Sequence, residues 1–169
     1  MPETKDLILR KAVFEDWESL YRQVWSQPET ARYMAWDLTA SEEEARARME
    51  RTLAFQASHD FHWTVVEKKS GQAIGWAGME EKAPGIWSET GVALGPDYTG
   101  KGYGRQILKA MTDLALEMGG KRFQGCTRRE NLPSRKLQLR CGFVYTHSEE
   151  AIHHRDQIPC IYDYFAKEL

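Results

Sequence analysis

Apolar positions in this chain switch repeatedly between a period of two and a period near 3.6, so strands and helices are expected to alternate along it. Leu7-Ile8-Leu9-Arg10 reads as a short strand. Trp17, Leu20, Tyr21, Val24 and Trp25 then recur at helical spacing, with Asp16 placed to cap that helix. Ser41-Glu42-Glu43-Glu44 has the form of a capping box and opens a second helix whose inward positions are Ala45, Met49 and Leu53. Between the two, Arg32-Tyr33-Met34-Ala35-Trp36-Asp37 is aromatic and keeps neither period.

Phe61-His62-Trp63-Thr64-Val65-Val66 is β-prone, and Lys69-Ser70-Gly71 reads as the turn after it. Residues 73–79 form the next strand, where Gly75 and Gly78 hint at bends or close packing, and residues 87–94 the third of an antiparallel group. A helix follows with Ile107, Leu108, Met111, Leu114, Ala115 and Met118 on one face, stopped by Gly119-Gly120. Residues 122–127 make another strand, 134–140 a short helix ended by Cys141-Gly142, and 143–146 and 158–164 the last two strands. Neither a linker nor a repeat interrupts this order, so residues 1–169 are expected to form one α/β domain with a mixed sheet.

Composition narrows the function without naming it. A chain of 169 residues is long enough to bury a real core, and 41% hydrophobic with 28% charged residues is ordinary for a globular protein. The net charge of −2 gives no bulk attraction to nucleic acid. Absence of a long apolar run and of a signal-peptide pattern after Met1 leads to the expectation of a cytoplasmic protein without a membrane segment. Cys126, Cys141 and Cys160 are an odd, widely spaced set without zinc spacing, and read as free thiols in a reducing compartment. Monomer and homodimer both remain open.

The chemistry concentrates where the third strand meets the long helix, in Val92-Ala93-Leu94-Gly95-Pro96-Asp97-Tyr98-Thr99-Gly100-Lys101-Gly102-Tyr103-Gly104-Arg105. Glycines at a strand-to-helix junction let backbone approach a ligand, and the free amides and dipole of a helix start favour an anion. The spacing fits neither dinucleotide nor ATP loops: Arg105 replaces the third glycine of one, and no Gly-Lys-Ser/Thr completes the other. A glycine-rich turn that merely caps a core helix is the competing reading. The segment resembles the acyl-CoA pyrophosphate loop of the GNAT acyltransferase superfamily, Arg/Gln-x-x-Gly-x-Gly/Ala, with Gly102 and Gly104 in the small positions and Thr99 in place of the usual Arg or Gln.

Two further stretches carry the same resemblance. Ala73-Ile74-Gly75-Trp76-Ala77-Gly78 looks like the family's Ile-Gly-x-x-Gly strand, and Asn131-Leu132-Pro133-Ser134 with Cys141-Gly142-Phe143 looks like its Asn-x-x-Ser and Gly-Phe signature. With Tyr33-Met34 upstream, the chain is most similar to the branch holding the ribosomal-protein N-terminal acetyltransferases. The resemblance covers nearly the whole chain. It implies a GNAT fold, a mixed twisted sheet with a splayed parallel strand pair flanked by helices, and acetyl-CoA as co-substrate without a metal.

By that resemblance, backbone groups of Val92, Ala93 and Leu94 would line pantetheine, and the Val92 amide could polarise the thioester carbonyl, a contribution worth about 3–4 kcal/mol in other enzymes. Amides of residues 100–104 would take the pyrophosphate, with Thr99, Lys101, Tyr103 and Arg105 around it. An amine attacks a thioester only when neutral, so a base is required. Glu89 is the first choice, ahead of Glu80 and Glu81. Many members carry a tyrosine as proton donor to the departing thiolate where this chain has Gln138, which cannot act as an acid; Ser134 matches the serine proposed for that role in the N-terminal acetyltransferase branch. Asn131 would orient pantetheine or water.

Each of these has a plainer reading: Glu89 as a solvated carboxylate, Ser134 and Asn131 as helix-start residues, Lys101 and Arg105 as solvated side chains. Trp36, Trp76 and Trp87 are candidates for an acceptor pocket or for core, whereas Trp17, Trp25 and Trp63 read as core. His59, His62, His153 and His154 lack the companions a zinc site needs, and Cys126 reads as a buried thiol. The expected activity is acetyl transfer to a primary amine, either a peptide or protein α-amine or a small molecule such as a polyamine, amino sugar, antibiotic or amino acid. Competing classes are a CoA-binding domain without catalysis, kept open by Thr99 and Gln138, and a nucleotide-binding module, which the missing loop patterns oppose.

Overall fold

The computed structural model describes residues 1–153, 155 and 157–169, so His154 and its part in the histidine reading lie outside the described residues. The elements run β1 Leu7–Arg10, α1 Asp16–Leu20, a π-helical turn Tyr21–Trp25, α2 Pro28–Ala31, α3 Glu42–Ser58, β2 His62–Glu67, β3 Ala73–Ala83, β4 Ile86–Leu94, a 3₁₀ turn Pro96–Tyr98, α4 Tyr103–Glu117, β5 Arg122–Arg128, α5 Leu132–Arg140, β6 Val144–Ile152 and β7 Pro159–Glu168. All seven strands join one sheet in the order β1-β2-β3-β4-β5-β7-β6. Every neighbouring pair is antiparallel except β4 and β5, which α4 connects as a crossover.

Strand periodicity sorts the core into two layers. Leu7, Leu9, Trp63, Val65, Ile74, Met79 and Trp87 pack with Ile107, Leu108, Met111 and Ala115 of α4. Ile8, Val66 and Ala73 pack with Leu20, Val24, Trp25, Ala45 and Met49 from the α1–α3 layer. Helix α3 begins as expected, with Ser41 Oγ accepting from the Glu44 amide at 3.2 Å. The returning Glu44 carboxylate accepts from the Ala40 amide, one residue earlier than a standard capping box.

Several expectations are corrected. Asp16 caps nothing: it is the first residue of α1, buried, and takes a two-pronged pair from Arg10 at 2.7 and 2.8 Å while accepting from the Val13 amide at 2.9 Å. The stripe from Trp17 to Trp25 is interrupted by the π-helical turn, and the short helix α2 occupies residues 28–31, for which no element was expected. Met118 is 48% exposed because α4 ends before it, at Glu117. Strands β3, β6 and β7 run past their expected ends, carried by ladder pairing that a residue-by-residue pattern does not contain.

Candidate active site

The parallel pairing of β4 with β5 covers only Ile86, Trp87 and Ser88 against Arg122, Phe123 and Gln124. Beyond that point the two strands diverge, and a groove of 760 Å³ opens between them. A bulge sits at the divergence: Met79 faces Glu89 and Gly78 faces Gly91, which leaves Thr90 as the extra residue. A bulge bends its strand away from its neighbour. The bend depends on Gly91, whose φ is +137° and whose missing Cβ would lie 2.6 Å from the Trp76 ring. Glu89 is thus the first β4 residue past the parallel pairing, at the apex of the groove.

At the apex the Glu89 carboxylate is half-buried, and its Oε2 accepts from Gln138 Nε2 at 3.2 Å. Burial disfavours the charged form and holds the group up at about 7, with the Gln138 bond opposing the rise. A carboxylate poised near neutrality in a groove can both take and return a proton. Glu80 and Glu81 stand elsewhere: Glu80 pairs with Lys82, and Glu81 accepts from the Gly85 amide at the β3–β4 turn.

The other end of the groove is the glycine loop. Gly100 and Gly102 have φ of +73° and +81°, left-handed values that bring the chain into α4 with its amides presented outward. Among the described residues, no backbone or side-chain acceptor takes the amides of residues 100–105. Thr99 lines the groove, but its hydroxyl is used in the 3₁₀ turn, donating to the Pro96 carbonyl at 2.8 Å. Tyr103 donates to Glu67 at 2.6 Å, which holds Glu67 below the usual carboxylate range and pushes the phenol up to about 12. That bond ties the start of α4 to the end of β2. Arg105 lines the groove with Lys136 and Arg140. Lys101 turns its ammonium over the Tyr98 ring at 4.9 Å and is absent from the groove wall.

Val92 and Leu94 line the groove along β4, whereas Ala93 points to the opposite face and is buried. The Leu94 carbonyl already accepts from the Thr30 hydroxyl at 3.3 Å. The facing wall is α5. Asn131 caps it, its side chain accepting from the Ser134 amide at 3.3 Å, so the turn-capping reading is realised while Asn131 still lines the groove. Ser134 and Gln138, one turn apart, face the groove together, and the Ser134 hydroxyl has no hydrogen bond to another described residue.

Tyr33, Met34 and Arg128 also line the groove, and the sequence reading gave none of them a site role. The break in periodicity at 32–37 was the signal: a segment without core spacing is free to face a cleft. Cys126 is exposed in the groove wall rather than buried, because β5 is unpaired on that side. Desolvation and the nearby Glu89 raise its thiol to about 11, which keeps it in the protonated form at neutral pH.

The three tryptophans separate. Trp36 and Trp76 line a second cavity of 680 Å³ on the α3 side of the sheet, with Arg48 stacked on Trp36 and Trp25 at 4.5 and 4.8 Å. Burial and the neighbouring Arg51 lower Arg48 to about 10. Trp87 is 2% exposed in the core against Phe61, away from both cavities, because it falls on the α4-facing register of β4. His62 pairs with Thr90 across 2.9 Å and stacks edge-on with Phe55 and His59; among the described residues no group of three His, Cys, Asp or Glu could hold a metal ion.

Residues 6–144 match the Acetyltransferase (GNAT) domain family. The chain belongs to this family. Solved structures agree on the fold. An acetyltransferase of the GNAT family from Bacillus anthracis superposes with a TM-score of 0.82 at 18% identity, covering 99% of this chain and 97% of that one. The self-immunity acetyltransferase MccE, in complex with acetyl-CoA and AMP, gives 0.82 at 17% identity over 98% and 94%. RimL, a ribosomal α-N-protein acetyltransferase in complex with coenzyme A, gives 0.80 at 18% identity over 99% and 97%.

As a GNAT acetyltransferase the protein uses acetyl-CoA as co-substrate. The groove fits it: unpaired amides at a helix start and the cations Arg105, Lys136 and Arg140 suit a polyphosphate, and the diverging strands leave an apolar slot beside Val92 and Leu94. No helix among the described residues is long and apolar enough to cross a membrane.

Proposed function

We propose that the protein transfers acetyl from acetyl-CoA to a primary amine, foremost the α-amine of a peptide or protein, with residues 1–169 acting as one catalytic domain. The observation that carries this is Glu89, held at about 7 where the strands part. At pH 7.5 about a third of α-amines are neutral but only about a thousandth of lysine amines, so a base near 7 matches the first far better. The amine nitrogen attacks the thioester carbon and passes its proton to Glu89. The carbonyl oxygen gathers charge beside the Val92 amide, and the C–S bond then breaks as the sulfur takes a proton from Ser134 or water. Residues 100–105 with Arg105 hold the pyrophosphate, and Asn131 fixes the start of the α5 wall. A cytoplasmic setting supplies acetyl-CoA and keeps the three cysteines reduced.

A small-molecule amine is the second reading, favoured by the cavity with Trp36, Trp76 and Arg48, which is the size of a drug-like ligand. Thiol release measured with a peptide bearing a free N-terminus, the same peptide N-blocked but carrying a lysine, a polyamine and an amino sugar separates the readings. A kcat/KM about tenfold or more higher for the free N-terminus is expected. A preference for the polyamine or amino sugar overturns the acceptor, and CoA binding without release for any amine overturns catalysis.

A further inference from the structure

Glu89 has a partner built to hold it. Gln138 is 1% exposed although it carries a polar amide, and its Nε2 donates to Glu89 Oε2 at 3.2 Å. The amide reaches that point only because β5 carries glycine opposite it: a Cβ on Gly125 would stand 2.5 Å from Gln138 Nε2 and 3.0 Å from its Cδ and Oε1. The Gln138 Oε1 is buried with no hydrogen-bond partner. An unpaired buried acceptor is costly, so its retention calls for a reason.

We propose that Gln138, seated in the notch left by Gly125, is the positioning residue of Glu89 and serves both of its protonation states. With Glu89 ionised, the amide NH₂ donates to the carboxylate, as in the structure. When Glu89 takes the proton of the amine it becomes a donor, and the amide turned over presents Oε1 to receive it. No bond in Gln138 is made or broken. This rests on Glu89 being the base of the proposed reaction.

The pH dependence of kcat/KM, measured for wild type, Gln138→Met, Gln138→Glu and Gly125→Ala, tests it. Losing the donor leaves burial unopposed, so Gln138→Met moves the acid limb upward by about half a pH unit or more. Gln138→Glu places a second carboxyl against the first and moves it further. Gly125→Ala, which touches no substrate, moves it in the same direction by displacing the amide. The KM for acetyl-CoA stays within about twofold in all three. Limbs that coincide with wild type in variants whose melting temperatures show them folded overturn the positioning role. If Glu89→Gln itself retains full activity, the base assignment fails instead, which separates the two failures.

Discussion

Replacing Glu89 with glutamine is expected to make the protein more stable and nearly inactive, and both changes follow from one number. Unfolded, the carboxyl titrates near 4.5; folded, burial holds it at about 7. The folded state therefore keeps a proton that the unfolded state has lost, and stability falls as pH rises from about 4.5 through about 7. The full difference corresponds to about 3 kcal/mol above pH 7, trimmed toward about 2 kcal/mol because the group is only half-buried. Glutamine keeps the shape and can still bond Gln138 but carries no charge to desolvate. Glu89→Gln should thus raise the melting temperature by about 4–10 °C at pH 8 and by almost nothing at pH 4.5. The same variant should lose about 10²- to 10⁴-fold in kcat, with its KM for acetyl-CoA unchanged. Thermal melts at the two pH values and a thiol-release assay measure these effects. Equal gains at both pH values, or none at either, refute the burial argument; full activity refutes the base.

Two other outcomes test different parts of the frame. Gly104→Val should raise the KM for acetyl-CoA about tenfold or more, because the branched side chain fills space among the loop amides at the groove, where its Cβ already meets the Leu137 side chain at 2.8 Å; an unchanged KM in kinetic assays removes the loop from binding. Asp16→Ala should cost about 3 kcal/mol in denaturant unfolding, since Arg10 loses both bonds and the Val13 amide its acceptor, and a cost below about 1 kcal/mol would make the pair dispensable.

Strand and helix order was legible because each face buries its own apolar set at a fixed period, as Leu7 and Leu9 or Ile107 and Met111 show. The glycine loop was legible because left-handed backbone leaves a mark on residue type. What escaped was set by three-dimensional neighbours. Asp16 looks like a cap until Arg10 is seen beside it, Trp87 is open between pocket and core until its register is known, and Tyr33 has no site role until the groove is drawn.

The two departures from the family pattern bear on whether chemistry was kept. A domain that had lost catalysis would be under no pressure to hold a carboxylate half-buried near neutrality, since that arrangement weakens the fold at the pH of the cell. Thr99, in place of a cationic or amide side chain, closes the turn before the loop and leaves charge to Arg105, Lys136 and Arg140. Gln138, in place of a tyrosine, gives up acid chemistry and takes hold of Glu89. Both substitutions are matched by local structure, Gln138 down to the absent side chain of Gly125. A costly carboxylate with a fitted partner argues for an active enzyme whose proton donor lies with Ser134 or water rather than at position 138.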